Sequence, residues 1–252
     1  MNAVATRPSA IRSLRAIVAY TLRSTVPAKR RVGALVPAAT AILFGLLATT
    51  LPDSAESAFV EVASEALFLV VLPITCLVIG DAVLGAEVRS ATFAFTWMSP
   101  VPTWLIALGR WVGGTIVAGG TIAVAFAAAA VVAGAPETAG AAALSGALGA
   151  GAYVAVFIAI GCITKRAAVW SLVFVVMVEH LLGRSLTGIA QLCPGWVSRA
   201  AFLGLTDVRP DLARSGMPEG TGALVRLVVI TVVALALANA RLRSLRLAGS
   251  AD

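Results

Sequence analysis

The sequence predicts an all-α membrane protein with six transmembrane helices, and its composition and hydropathy pattern lead to that prediction. Of the 252 residues, 60% are hydrophobic and only 12% are charged, and the mean hydropathy is +0.97. A soluble domain carries about a quarter charged residues, so a soluble fold is excluded. Six apolar runs reach or approach the about 20 residues that cross about 30 Å of hydrocarbon. These runs cover about residues 34–51, 64–84, 105–133, 140–163, 167–183 and 223–240.

The placement of basic residues predicts the orientation of the chain. Arg30 and Arg31 precede the first run, and Arg241 and Arg243 follow the last. Because Lys and Arg concentrate in cytoplasmic segments, both termini are expected in the cytoplasm. The same placement accounts for the net charge of +7, which therefore does not indicate nucleic acid as a partner.

Residues 10–31 are predicted to form an interfacial helix before the first span. Ile11, Leu14, Val18 and Leu22 fall on one helical face, so the helix is expected to lie in the inner membrane interface. A free basic tail is the alternative. The segment before the first apolar run is too long for an ordinary cleavable signal peptide.

Two segments are predicted on the opposite, outer side of the membrane. The first, Asp53 to Glu65, is acidic and is expected to be a solvated loop, with a vestibule that attracts cations as the alternative. The second, residues 185–222, is too apolar for a free loop and too interrupted for a span. Trp196 and Arg199 in this outer hydrophobic segment favour a short helix or a re-entrant hairpin at the outer interface.

Signatures of catalysis and metal binding are absent from the sequence. It has no G-x-x-x-x-G-K-[ST] loop for nucleotide phosphates and no G-x-S-x-G nucleophile motif. Cys76, Cys162 and Cys193 show no metal-ligand spacing and are expected to be packing residues. The chain is therefore expected not to be an enzyme and to bind no cofactor itself. If ATP powers the protein, another chain must bind it.

Four polar residues within or beside the predicted spans are candidates for function: Asp81, Glu179, His180 and Arg184. Asp81 is predicted near the cytoplasmic end of span two, where a carboxylate reaches water. Glu179 and His180 form the only ionisable pair well inside a predicted span, and such residues are candidates for function by default. The structural alternative is a pair near the outer end of span five whose partner is Arg184, about a turn later.

The segment between spans two and three, residues 86–100, carries the most specific pattern. A polar start is followed by bulky apolar residues and then by prolines, which stop a helix. The candidate residues are Glu87, Arg89, Ser90, Thr92, Phe93, Trp97, Met98 and Pro100. A short interfacial helix with exposed aromatic side chains would fit a groove on a cytoplasmic partner. An ordinary interfacial loop is the alternative.

This segment resembles the loop between spans two and three of the permeases of ABC type-2 exporters. The family pattern is Glu, then Gly-Thr-Leu or similar, two large apolar residues, Ser-Pro-Val/Ile, and Leu-Gly-Lys/Arg. The matching residues here are Glu87, Ala91-Thr92-Phe93, Trp97-Met98-Ser99-Pro100-Val101 and Leu108-Gly109-Arg110. Ala91 replaces the usual glycine, and Arg89 stands where a second acidic residue is often found.

The resemblance implies a single permease domain over residues 1–252, with residues 86–100 as the coupling helix that binds an ABC ATPase subunit. ATP and Mg²⁺ would then be bound by that partner. The working unit would contain two permease copies, identical or different, among the lipids of a cytoplasmic membrane. The high content of Ala, Val, Gly and Arg favours a bacterial source. The resemblance implies export, and the apolar spans favour a hydrophobic or amphipathic substrate such as a drug, lipid or peptide. The alternative is an ATP-independent protein, either a proton-coupled carrier that uses Glu179 and His180 or a membrane anchor for a partner protein.

Overall fold

All regular secondary structure is helical in the part of the chain that the computed structural model describes, residues 10–25, 31–80, 101–164 and 166–244. The predicted all-α class is thus confirmed for these residues. The helices are α1 (Ala10–Thr25), α2 (Arg31–Ala48), α3 (Ala55–Gly80), α4 (Thr103–Val132), α5 (Ala139–Ile163), α6 (Ala167–Ser185), α7 (Thr187–Ala190), α8 (Pro194–Thr206) and α9 (Gly220–Ser244). A 3₁₀ turn, Pro136–Thr138, leads into α5.

Five helices in the described residues are long and apolar enough to cross a membrane. They are α3, α4, α5 with its preceding turn, α6 and α9, and they correspond to predicted spans two to six. The predicted first span corresponds to α2, of which the fully described stretch Val36–Ala48 extends about 20 Å at 1.5 Å per residue. The count of six spans and the cytoplasmic placement of both termini therefore stay predictions.

Helix α2 ends at Ala48 because the following residues favour a turn. The hydroxyls of Thr49 and Thr50 donate to the carbonyls of Leu46 and Leu47, each at 2.7 Å, which competes with helical hydrogen bonding. Pro52 then restricts the residue before it to extended backbone.

The acidic segment predicted as a solvated loop is mostly the first part of α3. The Ser54 hydroxyl caps this helix by accepting a hydrogen bond from the Ser57 N–H at 3.4 Å. The prediction of a loop for Asp53 to Glu65 was therefore wrong. Glu61 and Glu65 lie one turn apart on α3, where arginines of later segments bind both.

Helix α1 packs along the first turns of α4 through the half-buried or buried residues Leu14, Ile17 and Thr21. The approach is close, since a Cβ atom at Gly109 of α4 would lie 2.6 Å from Ile17 Cγ2. Ile11, which the sequence placed on the same apolar face, is instead 66% exposed. The helix itself is present as predicted over residues 10–25, and its position in the membrane interface stays a prediction.

Arg110, the last residue of the family-like pattern, is buried where α1 meets α4. Only 2% of its surface is exposed, and its guanidinium carbon lies 4.8 Å from the centre of the Tyr20 ring. A cation–π contact of this kind is stronger when water is excluded. The start of α4 and the helix α1 are therefore joined by both close packing and a buried charge.

Two helices contain π-helical segments, Ala63–Val71 in α3 and Phe174–Leu182 in α6. The Leu72 N–H donates to the Leu67 carbonyl, and the Gly183 N–H donates to the Val178 carbonyl. Each bond reaches back five residues instead of four, which widens the helix. Both segments contact the α7–α8 region, so the irregular backbone lies where another part of the chain packs.

The outer hydrophobic segment contains a helical hairpin, made of α7 and α8, and its place at the outer membrane interface stays a prediction. Its turn, Cys193 to Gly195, lies beside Glu179, six residues or about 9 Å before the end of α6. Helix α8 is buried from Pro194 through Leu203, and its Phe202 ring stacks on Phe68 of α3 at 5.0 Å. The segment thus enters the bundle instead of lying on its surface.

Candidate functional site

Glu179 is the centre of a buried polar cluster between α5, α6 and α8. Only 2% of Glu179 is exposed. Its Oε1 accepts a hydrogen bond from the Gly195 N–H at 2.9 Å, and its Oε2 accepts one from the Tyr153 hydroxyl. Its main-chain carbonyl accepts from the Trp196 indole N–H at 3.0 Å. Tyr153, Glu179, Gly195 and Trp196 are called the Glu179 cluster below.

The start of α8 explains why this site accommodates a carboxyl group. The first N–H groups of a helix have no partner within the helix and carry its positive dipole end. Pro194, at the first helical position, lacks an N–H, and the next N–H, of Gly195, points at Glu179. Glycine is required there, because a Cβ atom would lie 2.6 Å from the Tyr153 hydroxyl oxygen and 3.3 Å from Glu179 Oε1.

Arg184 is not the partner of Glu179, so this part of the structural alternative was wrong. Its guanidinium NH2 donates to Glu65 Oε2 of α3 at 3.3 Å. Glu179 faces the bundle interior, whereas Arg184 lies at the predicted outer end, where α3 begins and α6 ends. His180 is partly exposed, in contrast to its buried neighbour Glu179, because adjacent helical residues point about 100° apart.

Three arginines surround Glu65 and Trp196 at the predicted outer end. Arg199 of α8 donates to Glu65 Oε1 at 3.1 Å, while Arg184 binds the other oxygen. Two guanidinium groups contact the Trp196 ring, that of Arg199 at 5.5 Å and that of Arg214 at 5.3 Å from the ring centre. Arg214 also donates to the Gly183 carbonyl at 2.6 Å. These contacts connect the hairpin to α3, to α6 and to the loop before α9.

A separate ion cluster fixes the loop before α9 to the start of α3. Arg209 donates to Glu61 Oε2 at 3.0 Å and to Ser57 Oγ at 3.2 Å. It also binds both oxygens of Asp211, at 2.9 and 2.8 Å, and these bonds lower the pKa of Asp211. The same bonds, and then those with Glu61, raise the pKa of Arg209. Glu61 and Glu65 thus bind arginines of the same chain. The alternative suggested from the sequence, a vestibule that attracts cations, did not include these partners.

Neither a metal centre nor a reactive thiol is evident in the described residues. They contain no group of three His, Cys, Asp or Glu side chains that could hold a metal ion. Cys76, Cys162 and Cys193 are free and buried. Because burial disfavours the charged thiolate, these thiols are poor nucleophiles near neutral pH.

The sequence named some members of the site and missed others. It identified Glu179 as a candidate and noted Trp196 and Arg199, but not Tyr153, Gly195 or Glu65 as their partners. The dipeptide Pro194-Gly195, which opens an apolar run, was the available signal. The other predicted site residues lie outside the described residues: Asp81, Glu87, Arg89, Ser90, Thr92, Phe93, Trp97, Met98 and Pro100.

The fold and the site define a helical, multi-pass membrane protein, with five helices of spanning length in the described ranges. The chain matches no protein-family model, and no curated protein is significantly similar to it. The residues of the chain itself are therefore the basis for its proposed function.

Proposed function

We propose that this chain is the transmembrane permease subunit of an ATP-driven exporter of a hydrophobic or amphipathic substrate. A separate ATPase subunit would supply the energy. The observation that carries the proposal is the sequence pattern from Glu87 through Arg110, which begins after the apolar helix α3 and ends within the apolar helix α4. The coupling role of residues 86–100 and the bacterial cytoplasmic membrane as location are parts of the same proposal.

The contacts of α4 support a route by which movement could spread from residues 86–100. Helix α4 begins three residues after that segment and packs on α1 through Gly109, while Arg110 contacts Tyr20. Displacement of the segment by closing ATPase subunits would move α4 and α1 together. Helix α3 precedes the segment in the sequence, and its Phe68 ring stacks on Phe202 of α8. Tilting of α3 would therefore also move the hairpin of α7 and α8.

The lipid-facing surface of the described bundle fits an assembly of two permease copies with surrounding lipid. Apolar side chains such as Trp170, Val173 and Met177 of α6 are exposed, and in a membrane such a face is covered by lipid or by another helix. Two such chains would give the twelve spans usual for this kind of exporter, provided that α2 completes six in each.

A pull-down from native cells tests the proposal directly. The detergent-solubilised wild type is compared with Glu87→Ala and Trp97→Ala, and copurifying ATPase activity is measured. Glu137→Ala is the matched control, since Glu137 is exposed and lies away from residues 86–100 in sequence. We expect ATPase activity with the wild type and the control and its loss with Glu87→Ala and Trp97→Ala. Absence of ATPase from the wild type, or its retention by both variants, would contradict the proposal.

The Glu179 cluster favours one second candidate, an ATP-independent, proton-coupled carrier. A buried carboxyl group hydrogen-bonded to a phenol can hold and release a proton, and polar residues at membrane depth often belong to proton pathways. The test uses proteoliposomes that contain this chain alone, an imposed pH gradient and a pH-sensitive dye inside. A carrier would let protons cross when a lipophilic cargo is added, and Glu179→Gln would abolish the signal. A signal unaffected by Glu179→Gln would exclude this role.

A further inference from the structure

A small pocket at the predicted outer end has the features of an anion-binding site. It lies between α8 and the loop before α9, and its walls include Trp196, Arg199, Leu203, Arg214 and Met217. The pocket is therefore lined by two guanidinium groups and by apolar side chains. A ligand with an anionic group and an apolar part would match this lining.

The charges around this pocket are unequal. Arg184 and Arg199 share the single carboxylate of Glu65, while the described contacts of Arg214 are the Gly183 carbonyl and the Trp196 ring. Glu219 also lines the pocket, but this residue is exposed to solvent. Like charges held close together repel one another, so a further anion would be stabilised here.

Arg199 has hydrogen-bonding capacity that its described neighbours do not use. The residue is only 6% exposed, and its Nε has no hydrogen-bond partner among the described residues. A guanidinium group offers five N–H donors in a fixed plane, and leaving such a group unsatisfied in a buried position is costly. Phosphate oxygens are acceptors that suit this geometry.

The geometry points to this pocket as a binding site for a phosphate group, held by Arg199 and Arg214 beside the Trp196 ring. The phosphate belongs either to an anionic lipid whose acyl chains contact the apolar residues of the pocket or to a free phosphate ion. The inference does not depend on the proposed export activity, because binding at this site requires no ATPase.

The experiment measures the melting temperature of the full chain in maltoside detergent by tryptophan fluorescence. Three additions are compared: dioctanoyl phosphatidylglycerol, dioctanoylglycerol, which has the same chains without phosphate, and inorganic phosphate. The proteins are the wild type, Arg199→Gln, Arg214→Gln and the control Arg243→Gln, an exposed residue at the far end of α9. Arg214→Gln decides the test if Arg199→Gln fails to fold.

We expect phosphatidylglycerol to raise the melting temperature of the wild type and of Arg243→Gln by about 3 °C at ten times its dissociation constant. Arg214→Gln should lose this shift. A shift with phosphatidylglycerol alone identifies a lipid site, and an added shift with inorganic phosphate identifies a site for the free ion. The inference is overturned if dioctanoylglycerol raises the melting temperature equally, if Arg214→Gln retains the full shift, or if no addition shifts the wild type.

Discussion

Glu65 and Glu179 are carboxylates that the protein holds in opposite ways, although both bind the hairpin helix α8. The Glu65 side chain is 47% exposed and binds two guanidinium groups. Glu179 is 2% exposed and binds a phenol and a main-chain N–H. Burying two opposite charges together costs several kcal/mol per ion before their attraction compensates. The comparison shows that charged guanidinium groups bind the more exposed carboxylate of Glu65, whereas uncharged donors bind the carboxyl group of Glu179 inside the bundle.

The largest effect in this comparison is expected from removing the interior carboxyl group. Glu179→Ala leaves the Tyr153 hydroxyl and the Gly195 N–H without their acceptor, and should lower the free energy of unfolding by about 3 kcal/mol. Glu179→Gln retains an oxygen for Gly195 and should cost less than half of that. Thermal unfolding in detergent measures both. If Glu179→Gln lowers the free energy of unfolding as much as Glu179→Ala does, the carboxyl group itself is needed. The explanation by uncharged hydrogen-bond donors would then be wrong.

The next effect concerns the space around Glu179. Gly195→Ala places a methyl group 2.6 Å from the Tyr153 hydroxyl oxygen, which must move, at a cost of about 2 kcal/mol. Gly188→Ala, in α7 of the same hairpin, is the matched control because nothing lies within 4 Å of its Cβ position. Equal melting temperatures for the two variants would show that the contact at Gly195 is not tight.

The two arginines that bind Glu65 should differ from each other. The Arg199 side chain is 7% exposed and that of Arg184 is 68% exposed. Arg199→Gln should lower the free energy of unfolding by about 1–2 kcal/mol, and Arg184→Gln by less than about 0.5 kcal/mol because water screens the exposed pair. Chemical denaturation at low and high salt measures both, and only the Arg184 effect should shrink with salt. If Arg184→Gln lowers the free energy of unfolding more than Arg199→Gln does, this prediction is wrong.

The smallest effect is expected at Asp211, which is exposed. Hydrogen bonds from Arg209 lower the pKa of Asp211 below its ordinary value of 3.8. A lowered pKa gives stability that is present above the ordinary value and is lost as the pH falls through the folded-state value. The wild type should therefore lose about 1 °C more in melting temperature below pH 3.8 than Asp211→Asn does. Arg209→Gln should behave like Asp211→Asn, and a wild-type profile parallel to both would contradict this assignment.

Hydropathy predicted most of the helices, because length and apolar composition are local properties of the chain. The predicted start of α3, at about residue 64, was wrong. The helix begins at Ala55 with Ser54 as its cap, but its first turns are acidic and were therefore interpreted as a loop. The partners of Glu179 could not be predicted, since Tyr153 lies 26 residues before it and Gly195 lies 16 residues after it. Their meeting depends on how α8 turns back into the bundle. Arg184 was chosen as the partner only because it is near in sequence.

The π-helical segments Ala63–Val71 and Phe174–Leu182 have a consequence for how this gene can change. A π-helical stretch in an α-helix corresponds to an extra amino acid, so deleting one codon there could restore regular α-helical hydrogen bonding without breaking the helix. Every later side chain would then rotate by about 100°. In α6 such a deletion before Glu179 would turn that carboxyl group away from Tyr153 while the chain stays apolar and helical. A single in-frame codon loss would therefore separate Glu179 from its hydrogen-bond donors, although no residue type changes.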